Sequence, residues 1–317
     1  SMLNRRLIRI KVFKVLYSMV TSGSDSLIEA EKALNYSCEK TLHLYYFMLN
    51  AAVALKNAAQ ARIDTGLKKF NPTPEERNPN RKFASNQVAA CLERDPRFVK
   101  FCEDHGLVWT EDLATFIRKT LAALSERDYF KEYMASETSS MAEDCDLYVK
   151  IFSDLELFED NEDLASTLED MSLFWIDDLG FVLSAIVRNI EVLRTRGTMP
   201  VPGVFLKDDD REFAVGLLRA AMTGYRKYMD VVVANTSNWD PDRVVTTDLV
   251  LIVQGIAEAV RFSNIPLKVT INEYVEISKF YSTGNSKVFV NGLLDRILRK
   301  MVDTGEIVKT GRGLIES

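Results

Sequence analysis

The chain has 317 residues, of which 47% are hydrophobic and 27% charged, and its formal net charge is −6. This composition is ordinary for a globular protein, and the length favours two domains or one large domain. Two histidines and four cysteines leave little material for metal or nucleophilic chemistry. Because the cysteines form no CxxC pair, we expect reduced, packed thiols and no metal site.

The start of the chain and its most apolar run both bear on localisation. Charged residues near the N-terminus alternate with apolar ones, a pattern unlike that of a signal peptide. The most apolar run, residues 42–61, is interrupted by His43, Asn50 and Lys56. We therefore expect a buried helix here rather than a membrane span, and a cytoplasmic protein.

Helical periodicity dominates the chain, so the predicted fold class is all-α. Helices are expected at about 3–20, 26–67, 86–133, 145–196, 209–235, 240–262, 270–281 and 286–302. Asn4 is a candidate N-cap of the first helix, and Thr270 with Glu273 fits a capping box. The Pro- and Gly-containing stretch 196–210 predicts a linker.

Positive charge is concentrated at the start of the chain. The first 24 residues contain no acid and five cations, which are Arg5, Arg6, Arg9, Lys11 and Lys14. Arginines in the first turns of a helix oppose the helix dipole, but a helix N-terminus attracts phosphate, and guanidinium groups strengthen such a site. Arg5, Arg6 and Arg9 are therefore candidate RNA-binding residues. Pairing with the chain's own acidic segment, 137–178, is the alternative.

A second candidate site is the loop and helix start in "STGNSKVFVNGLLDRIL", residues 282–298. A helical wheel places the apolar residues of this helix on one stripe and Phe289 off it, beside Gly292 and Arg296. An exposed aromatic ring beside a cation can stack on an unpaired base. Packing of Phe289 against another helix is the alternative. The RNA hypothesis requires both ends of the chain to form one cationic groove.

These segments resemble the NusB family of bacterial transcription antitermination factors. "RRLIRIKVFKVLYS" resembles the first helix of the family, and "IPLKVTINEYVEISKFYSTGNSKVFVNGLLDRIL" resembles its most characteristic block. "DRVVTTDLVLIVQGIAEAV" fits the helix that precedes this block. The resemblance covers about residues 3–20 and 209–302, and the long middle resembles an extended form from the Bacteroidetes-like branch.

The resemblance implies an all-helical protein that is not an enzyme, uses no cofactor and acts in the transcription elongation complex. Family members bind the boxA element of nascent RNA together with NusE, which is also a ribosomal protein of the small subunit. By position, the implied RNA-binding residues are Arg5, Arg6, Arg9, Asn285, Ser286, Lys287 and Phe289. Tyr17 and Asp248 match positions on the RNA and NusE surface, so we expect them to contact a partner.

The resemblance also implies how the chain is divided. Residues 1–20 would form the first helix of the NusB-like core, 21–205 a helical extension, 206–303 the C-terminal core and 304–317 a flexible tail. Leu7 and Ile8 interrupt the arginine cluster, which makes the basic patch smaller. The role of the extension does not follow from the resemblance, and a structural role is the simpler expectation.

Three other interpretations are open. A helical scaffold that binds only proteins would bind NusE without salt-dependent RNA affinity. RNA cytosine methyltransferases can carry a NusB-like domain, but they need an α/β domain with a Gly-rich cofactor loop, and the sequence predicts neither. A homodimer that buries the arginine surface is also compatible with the sequence.

Overall fold

The structure, a computed structural model, describes residues 4–172, 175, 177–200, 208–239 and 244–315. Every regular element in these ranges is helical, which confirms the all-α prediction. The first ten helices are α1 (Arg5–Ser22), α2 (Leu27–Leu67), α3 (Pro74–Arg77), α4 (Gln87–Arg94), α5 (Pro96–Asp104), α6 (Asp112–Ser125), α7 (Asp128–Ala135), α8 (Met141–Ser153), α9 (Glu162–Met171) and α10 (Leu179–Arg196). The C-terminal helices are α11 (Asp208–Thr223), α12 (Tyr225–Ala234), α13 (Thr246–Arg261), α14 (Leu267–Tyr281), α15 (Ser286–Asp303) and a short 3-10 helix (Gly311–Leu314).

The chain divides into two compact units. The terminal unit contains residues 3–38 and 206–317, and the extension unit contains residues 39–205. The sequence-based division assigned residues 21–38 to the extension, whereas the structure places them in the terminal unit. The start of α2 therefore belongs to the part of the fold that also contains α1.

Helix α13 lies at the centre of the terminal unit, where it packs against α11, α12, α14 and α15. Gly255 allows α15 to pack closely on α13. A Cβ atom at this position would lie only 3.0 Å from Leu294 Cδ2, which is too close for an unstrained contact. Helix α1 packs against α11, α13 and α14. The two ends of the sequence therefore do meet within this unit.

Local capping signals predicted some helix boundaries and failed at others. The Asn4 side chain accepts a hydrogen bond from the Leu7 amide at 2.8 Å, which confirms the predicted N-cap of α1. The predicted capping box of Thr270 and Glu273 is wrong, because α14 begins earlier, at Leu267. Both side chains instead bond to residues of other helices.

The C-terminal residues were expected to be flexible, but those described up to residue 315 pack against the end of α13. Ile307 is only 2% exposed. The Lys309 ammonium group donates to the carbonyl oxygens of Ala259 and Phe262, each at 2.9 Å, and burial lowers the pKa of Lys309. Ile307 and Lys309 therefore attach this otherwise exposed segment to the end of α13.

Aromatic rings fill the core of the extension unit. The Phe47 ring stacks on Trp109 with 4.0 Å between ring centres, and the Trp175 ring lies 5.6 Å from Phe47. Both tryptophans are buried. The chain's two histidines lie together, with 4.4 Å between the ring centres of His43 and His105.

Candidate nucleic-acid interface

Arg5 and Arg6, at the start of α1, lie beside carboxylates of the same unit. Arg5 Nε is 3.4 Å from Asp210 Oδ1, and the Arg5 guanidinium carbon lies 4.2 Å from the centre of the Phe213 ring. Arg6 donates to both carboxylate oxygens of Glu273, at 2.8 and 3.2 Å, and this interaction raises the pKa of Arg6. The side chains of Arg5 and Arg6 are 44% and 39% exposed, so both still reach solvent.

Arg9 lies in the interior. It is 3% exposed, and its guanidinium group donates to both oxygens of Glu258, at 2.6 and 3.1 Å. Burial would lower the pKa of Arg9, but the charge and hydrogen bonds of Glu258 raise it overall. The hydroxyls of Thr270 and Tyr274 also donate to Glu258, at 2.6 and 3.1 Å. Since breaking a buried ion pair costs about 3–5 kcal/mol, this burial removes Arg9 from the predicted RNA surface.

Asp248 and Ser286 fix the loop between α14 and α15 from inside. Asp248 is 3% exposed, and one of its carboxylate oxygens accepts a hydrogen bond from the Ser282 hydroxyl. The Ser286 hydroxyl lies 2.9 Å from the other oxygen, 2.8 Å from Ser282 Oγ and 3.0 Å from Thr283 Oγ1. Ser286 is 2% exposed. The expected direct contacts of Asp248 with a protein partner and of Ser286 with RNA do not fit this arrangement, which instead makes both residues supports of the loop.

Phe289 is part of the core. It is 8% exposed, and the centre of its ring lies 4.8 Å from that of Trp239, in an edge-to-face arrangement. Beside it, Arg296 donates to the carbonyl oxygen of Asn235. The interpretation of Phe289 as an exposed base platform is therefore wrong, and the alternative of packing against another element is correct. The covering residues follow α12, so a wheel drawn for α15 alone could not show them.

Exposed aromatic and basic residues lie where the second half of α1 meets the end of α14. The Phe13 ring is 6.0 Å from the Tyr17 ring and 5.8 Å from the Tyr281 ring, measured between centres. Lys14 Nζ lies 5.4 Å from the centre of the Tyr281 ring. Lys14 is exposed, and Tyr17 is 36% exposed. This junction therefore presents an aromatic ring and a cation to solvent.

The loop that follows Tyr281 adds two exposed polar residues. Asn285 and Lys287 flank the buried Ser286 and are both exposed. The Asn285 side chain makes no capping bond to α15, so its amide remains open to a ligand. We call Lys14, Tyr17, Tyr281, Asn285 and Lys287 the aromatic–basic face.

Along α14, the arginines lie about two helical turns before the loop, because Arg6 pairs with Glu273 near the middle of the helix and the loop follows Tyr281 at its end. Helices α1 and α14 run in the same direction, because Arg6 pairs with Glu273 and Phe13 contacts Tyr281 further along both helices. The eight residues from Glu273 to Tyr281 correspond to about 12 Å of helix. Because Arg9 is also buried, a single groove that presents all three arginines beside the loop is not formed. The part of α1 next to the loop is its second half.

The described part of the chain offers little for metal or thiol chemistry. No group of three or more His, Cys, Asp or Glu residues in it could hold a metal ion. Burial raises the pKa of Cys102 and Cys145 to about 12, so neither provides a thiolate near neutral pH. Among the described helices, none is both long and apolar enough to cross a bilayer.

The sequence reasoning missed Glu258 and assigned no role to Lys14. Glu258 is an acid within an apolar stretch of α13, "LIVQGIAEAV", and such an isolated charge is a signal that a buried partner is needed. Lys14 is one of the five N-terminal cations, and the sequence alone does not show where on the surface it lies. Only the parallel packing of α1 and α14 shows that Lys14 lies beside Tyr281.

Comparison with known proteins places the similarity in the terminal unit. Residues 205–299 match the sequence model of the NusB family. The transcription antitermination protein NusB of Salinibacter ruber is 37% identical over 105 residues, which cover 33% of this chain and 66% of the relative. The protein of the same name from Chloroherpeton thalassium is 32% identical over 106 residues, 33% of this chain and 50% of the relative. The protein of the same name from Syntrophotalea carbinolica is 37% identical over 89 residues, which cover 28% of this chain and 57% of the relative. The chain thus spans between half and two thirds of the length of these relatives, and no solved structure matches it.

Proposed function

Because the chain belongs to the NusB family through its residues 205–299, we propose that it binds boxA-like single-stranded RNA together with NusE. The three similar proteins carry the name transcription antitermination protein. The proposed role is binding without chemistry and without a cofactor, in the cytoplasm, as part of the transcription elongation complex.

The aromatic–basic face is the observation that carries this proposal. Single-stranded RNA is bound by aromatic rings that stack on bases and by cations that neutralise phosphates. Tyr17 supplies an exposed ring, and Lys14 lies 5.4 Å from the ring centre of Tyr281. Lys287 is exposed and has no hydrogen bond or ion pair with the described residues. Its charge is therefore available to a phosphate.

Buried hydrogen bonds order the loop between α14 and α15. The carboxylate of Asp248 holds Ser282 and Ser286 from beneath, while Asn285 and Lys287 point outward at exposed positions. A loop that is already ordered loses less conformational entropy on binding. Asp248 and Ser286 therefore support recognition indirectly, and Asn285 is the proposed hydrogen-bonding group for a base.

Arg5 and Arg6 are proposed as secondary phosphate contacts. Each is already next to a carboxylate, Asp210 or Glu273, but both arginine side chains remain substantially exposed. Exposed ion pairs contribute only about 0–1 kcal/mol, so a phosphate could replace the carboxylate at low cost. An RNA strand that runs along α1 and α14 would pass both the arginines and the aromatic–basic face.

NusE is the proposed protein partner. Tyr17 remains the proposed surface residue shared by RNA and NusE, whereas the buried Asp248 acts through the loop that it supports. If NusE and this chain contact the same RNA, each contributes part of the binding surface, and the affinity for RNA rises.

An RNA titration with the full chain tests this function. A fluorescently labelled boxA-like RNA would be titrated with the protein at several salt concentrations, with and without NusE. We expect binding that weakens as salt rises, because counterions are released when phosphates are neutralised. NusE should increase the affinity. Absence of salt-dependent RNA binding, even with NusE present, would contradict the proposal.

The pairing of the N-terminal arginines favours one rival function, a helical scaffold that binds only proteins. Arg5, Arg6 and Arg9 all face carboxylates of the same unit, which lowers the positive potential at the start of α1. A scaffold would bind NusE in the same experiment but show no RNA binding at any salt concentration. A homodimer would be recognised by sedimentation of the free protein.

A further inference from the structure

The extension unit contains a long groove between α2 and the segment formed by Trp109 and α6. Two hydrogen bonds link its walls: Trp109 Nε1 donates to the Phe47 carbonyl at 2.8 Å, and Arg62 Nη1 donates to Ser125 Oγ at 3.3 Å. The two walls therefore run in the same direction, and a cavity of about 750 Å³ lies along them. The α2 wall from residue 47 to residue 62 is roughly 22 Å long.

The groove is lined mainly by apolar residues. The α2 wall presents Ala54, Ala58 and Ala61, whose spacing places them on one side of the helix. Ile117 and Leu121 of α6 form the opposite wall. Small alanine side chains allow another backbone to approach α2 closely. Val108 and Ala114, both half-buried, supply apolar surface on the opposite side, above Ile117 and Leu121, which are each only 3% exposed.

Two guanidinium groups border this apolar groove. Arg62 donates to Ser125, and Arg118 donates to Thr115 Oγ1 of its own helix at 3.0 Å. Neither arginine forms an ion pair with any residue that the structure describes. In a chain with a net charge of −6, two arginines without acidic partners beside an apolar groove favour a ligand that is both apolar and acidic.

We propose that this groove binds an amphipathic α-helix of a partner protein. Aliphatic side chains of that helix enter the groove, and its flanking Asp or Glu residues pair with Arg62 and Arg118. A helix satisfies its own backbone hydrogen bonds, whereas an extended peptide would lay unpaired amides against an apolar wall that has no strand edge. The wall length of roughly 22 Å matches about fifteen residues of such a helix.

This inference is independent of the proposed RNA function. The groove lies within residues 39–205, the extension unit, whereas the NusB family match covers residues 205–299. It gives the extension a role in binding a protein.

A designed peptide tests the groove in the full-length protein. The probe is a fluorescein-labelled helical peptide of about 18 residues with leucines on one face and glutamates on both flanks. A second peptide carries lysines in place of the glutamates and keeps the leucines. The protein variants are Ala58→Trp, which fills the groove, and Arg62→Gln with Arg118→Gln, which removes its charge. Arg81→Gln with Arg94→Gln is the matched control, since both residues are exposed and lie outside the groove.

We expect the acidic peptide to bind the wild-type protein and the lysine peptide to bind much more weakly. Removal of both guanidinium groups should weaken binding about threefold to tenfold at low salt. Ala58→Trp should weaken it at least about tenfold, because the central space is filled. The control pair should leave the affinity within about twofold, because exposed charges outside an interface contribute little. On binding, the amides of residues 50–66 should become protected from hydrogen exchange.

Several results would overturn the proposal. They are no binding of the acidic peptide to the wild type, equal binding of the lysine peptide, and unchanged binding to Ala58→Trp. If Ala58→Trp does not fold, as judged by its thermal midpoint, the charge-removed variant and the exchange protection decide instead. If the free wild type is a dimer that Ala58→Trp or the charge-removed variant dissociates, the occupant is a second copy of the chain and the partner assignment is wrong.

Discussion

Arg9 and Glu258 form a two-point ion pair inside the terminal unit, at 2.6 and 3.1 Å, across 249 positions of sequence. The pair joins α1 to α13, and Thr270 and Tyr274 add hydrogen bonds from α14. Three helices that meet at one carboxylate explain why an arginine near the start of the chain is buried. The N-terminal arginines therefore differ in role, since Arg9 stabilises the fold while Arg5 and Arg6 remain at the surface.

The first prediction concerns the stability that this pair provides. Arg9→Ala should lower the free energy of unfolding by about 3–5 kcal/mol, because Glu258 would be left charged and unpaired in the interior. Urea unfolding measures this loss. Arg9→Met combined with Glu258→Leu should cost clearly less, since no buried charge remains. Arg6→Ala is the control, with a loss of about 1 kcal/mol or less, because its ion pair is partly exposed. Equal losses for Arg6→Ala and Arg9→Ala would show that the Arg9 pair is not buried.

The second prediction concerns the loop between α14 and α15. Asp248→Ala removes the acceptor of two hydroxyl groups, those of Ser282 and Ser286, and should cost about 1–3 kcal/mol of stability. The amides of residues 282–287 should exchange faster with solvent, and RNA affinity should fall although Asp248 is buried. Ser286→Ala, which removes one of the two hydroxyls, is the matched control and should have a smaller effect. Unchanged exchange in Asp248→Ala would show that the carboxylate does not order the loop.

The third prediction separates two aromatic residues. Phe289→Ala should lower the free energy of unfolding by about 3–5 kcal/mol, because the ring is buried against Trp239. Tyr17→Ala should change stability little and weaken RNA binding by about 1–3 kcal/mol, as expected for loss of a stacking ring. Thermal unfolding and RNA titration on both variants give the comparison. A stable Phe289→Ala variant with reduced RNA affinity would restore Phe289 as a base platform.

The fourth prediction is a pH dependence of the extension unit. Burial, together with His105 and Lys40, lowers the pKa of His43 from its usual 6.5 to about 4. As pH falls, the unfolded state takes up the proton first, so the stability contributed by neutral His43 is complete above pH 6.5 and is lost between pH 6.5 and 4. His43 is partly exposed, so the expected loss is about 1–2 kcal/mol. His43→Gln should be less sensitive to pH between 6.5 and 5, as measured by urea unfolding at each pH. Parallel pH profiles for the two proteins would refute this.

The sequence predicted the features that depend on neighbouring residues. Helical periodicity and the Asn4 cap depend only on residues within one or two helical turns. The all-α fold and the start of α1 could therefore be predicted from the sequence. Thr270 and Glu273 have the spacing of a capping box, but Glu258 and Arg6 from other helices bind their side chains instead. The candidate site could not be predicted for the same reason, because the residues that contact its side chains lie far away in the sequence.

Phe289 and Lys14 both show that contacts with distant residues cannot be predicted from one helix alone. Phe289 lies off the apolar stripe of its own helix, yet Trp239, fifty positions earlier, covers it. Lys14 had no assigned role, yet α14 brings Tyr281 next to it. Periodicity shows which face of a helix is apolar, but only tertiary packing shows which polar face has a neighbour.

The salt dependence of RNA binding in a variant of the aromatic–basic face tests the central claim most directly. Lys14→Gln with Lys287→Gln removes two proposed phosphate contacts, and Lys268→Gln with Lys300→Gln removes two exposed lysines elsewhere in the terminal unit. The slope of log K against log salt should become shallower by about 1.4 in the first variant, since each single-strand phosphate contact contributes about 0.7. It should be unchanged in the second. If the slope and the affinity of Lys14→Gln with Lys287→Gln equal those of the wild type, RNA does not bind at this face.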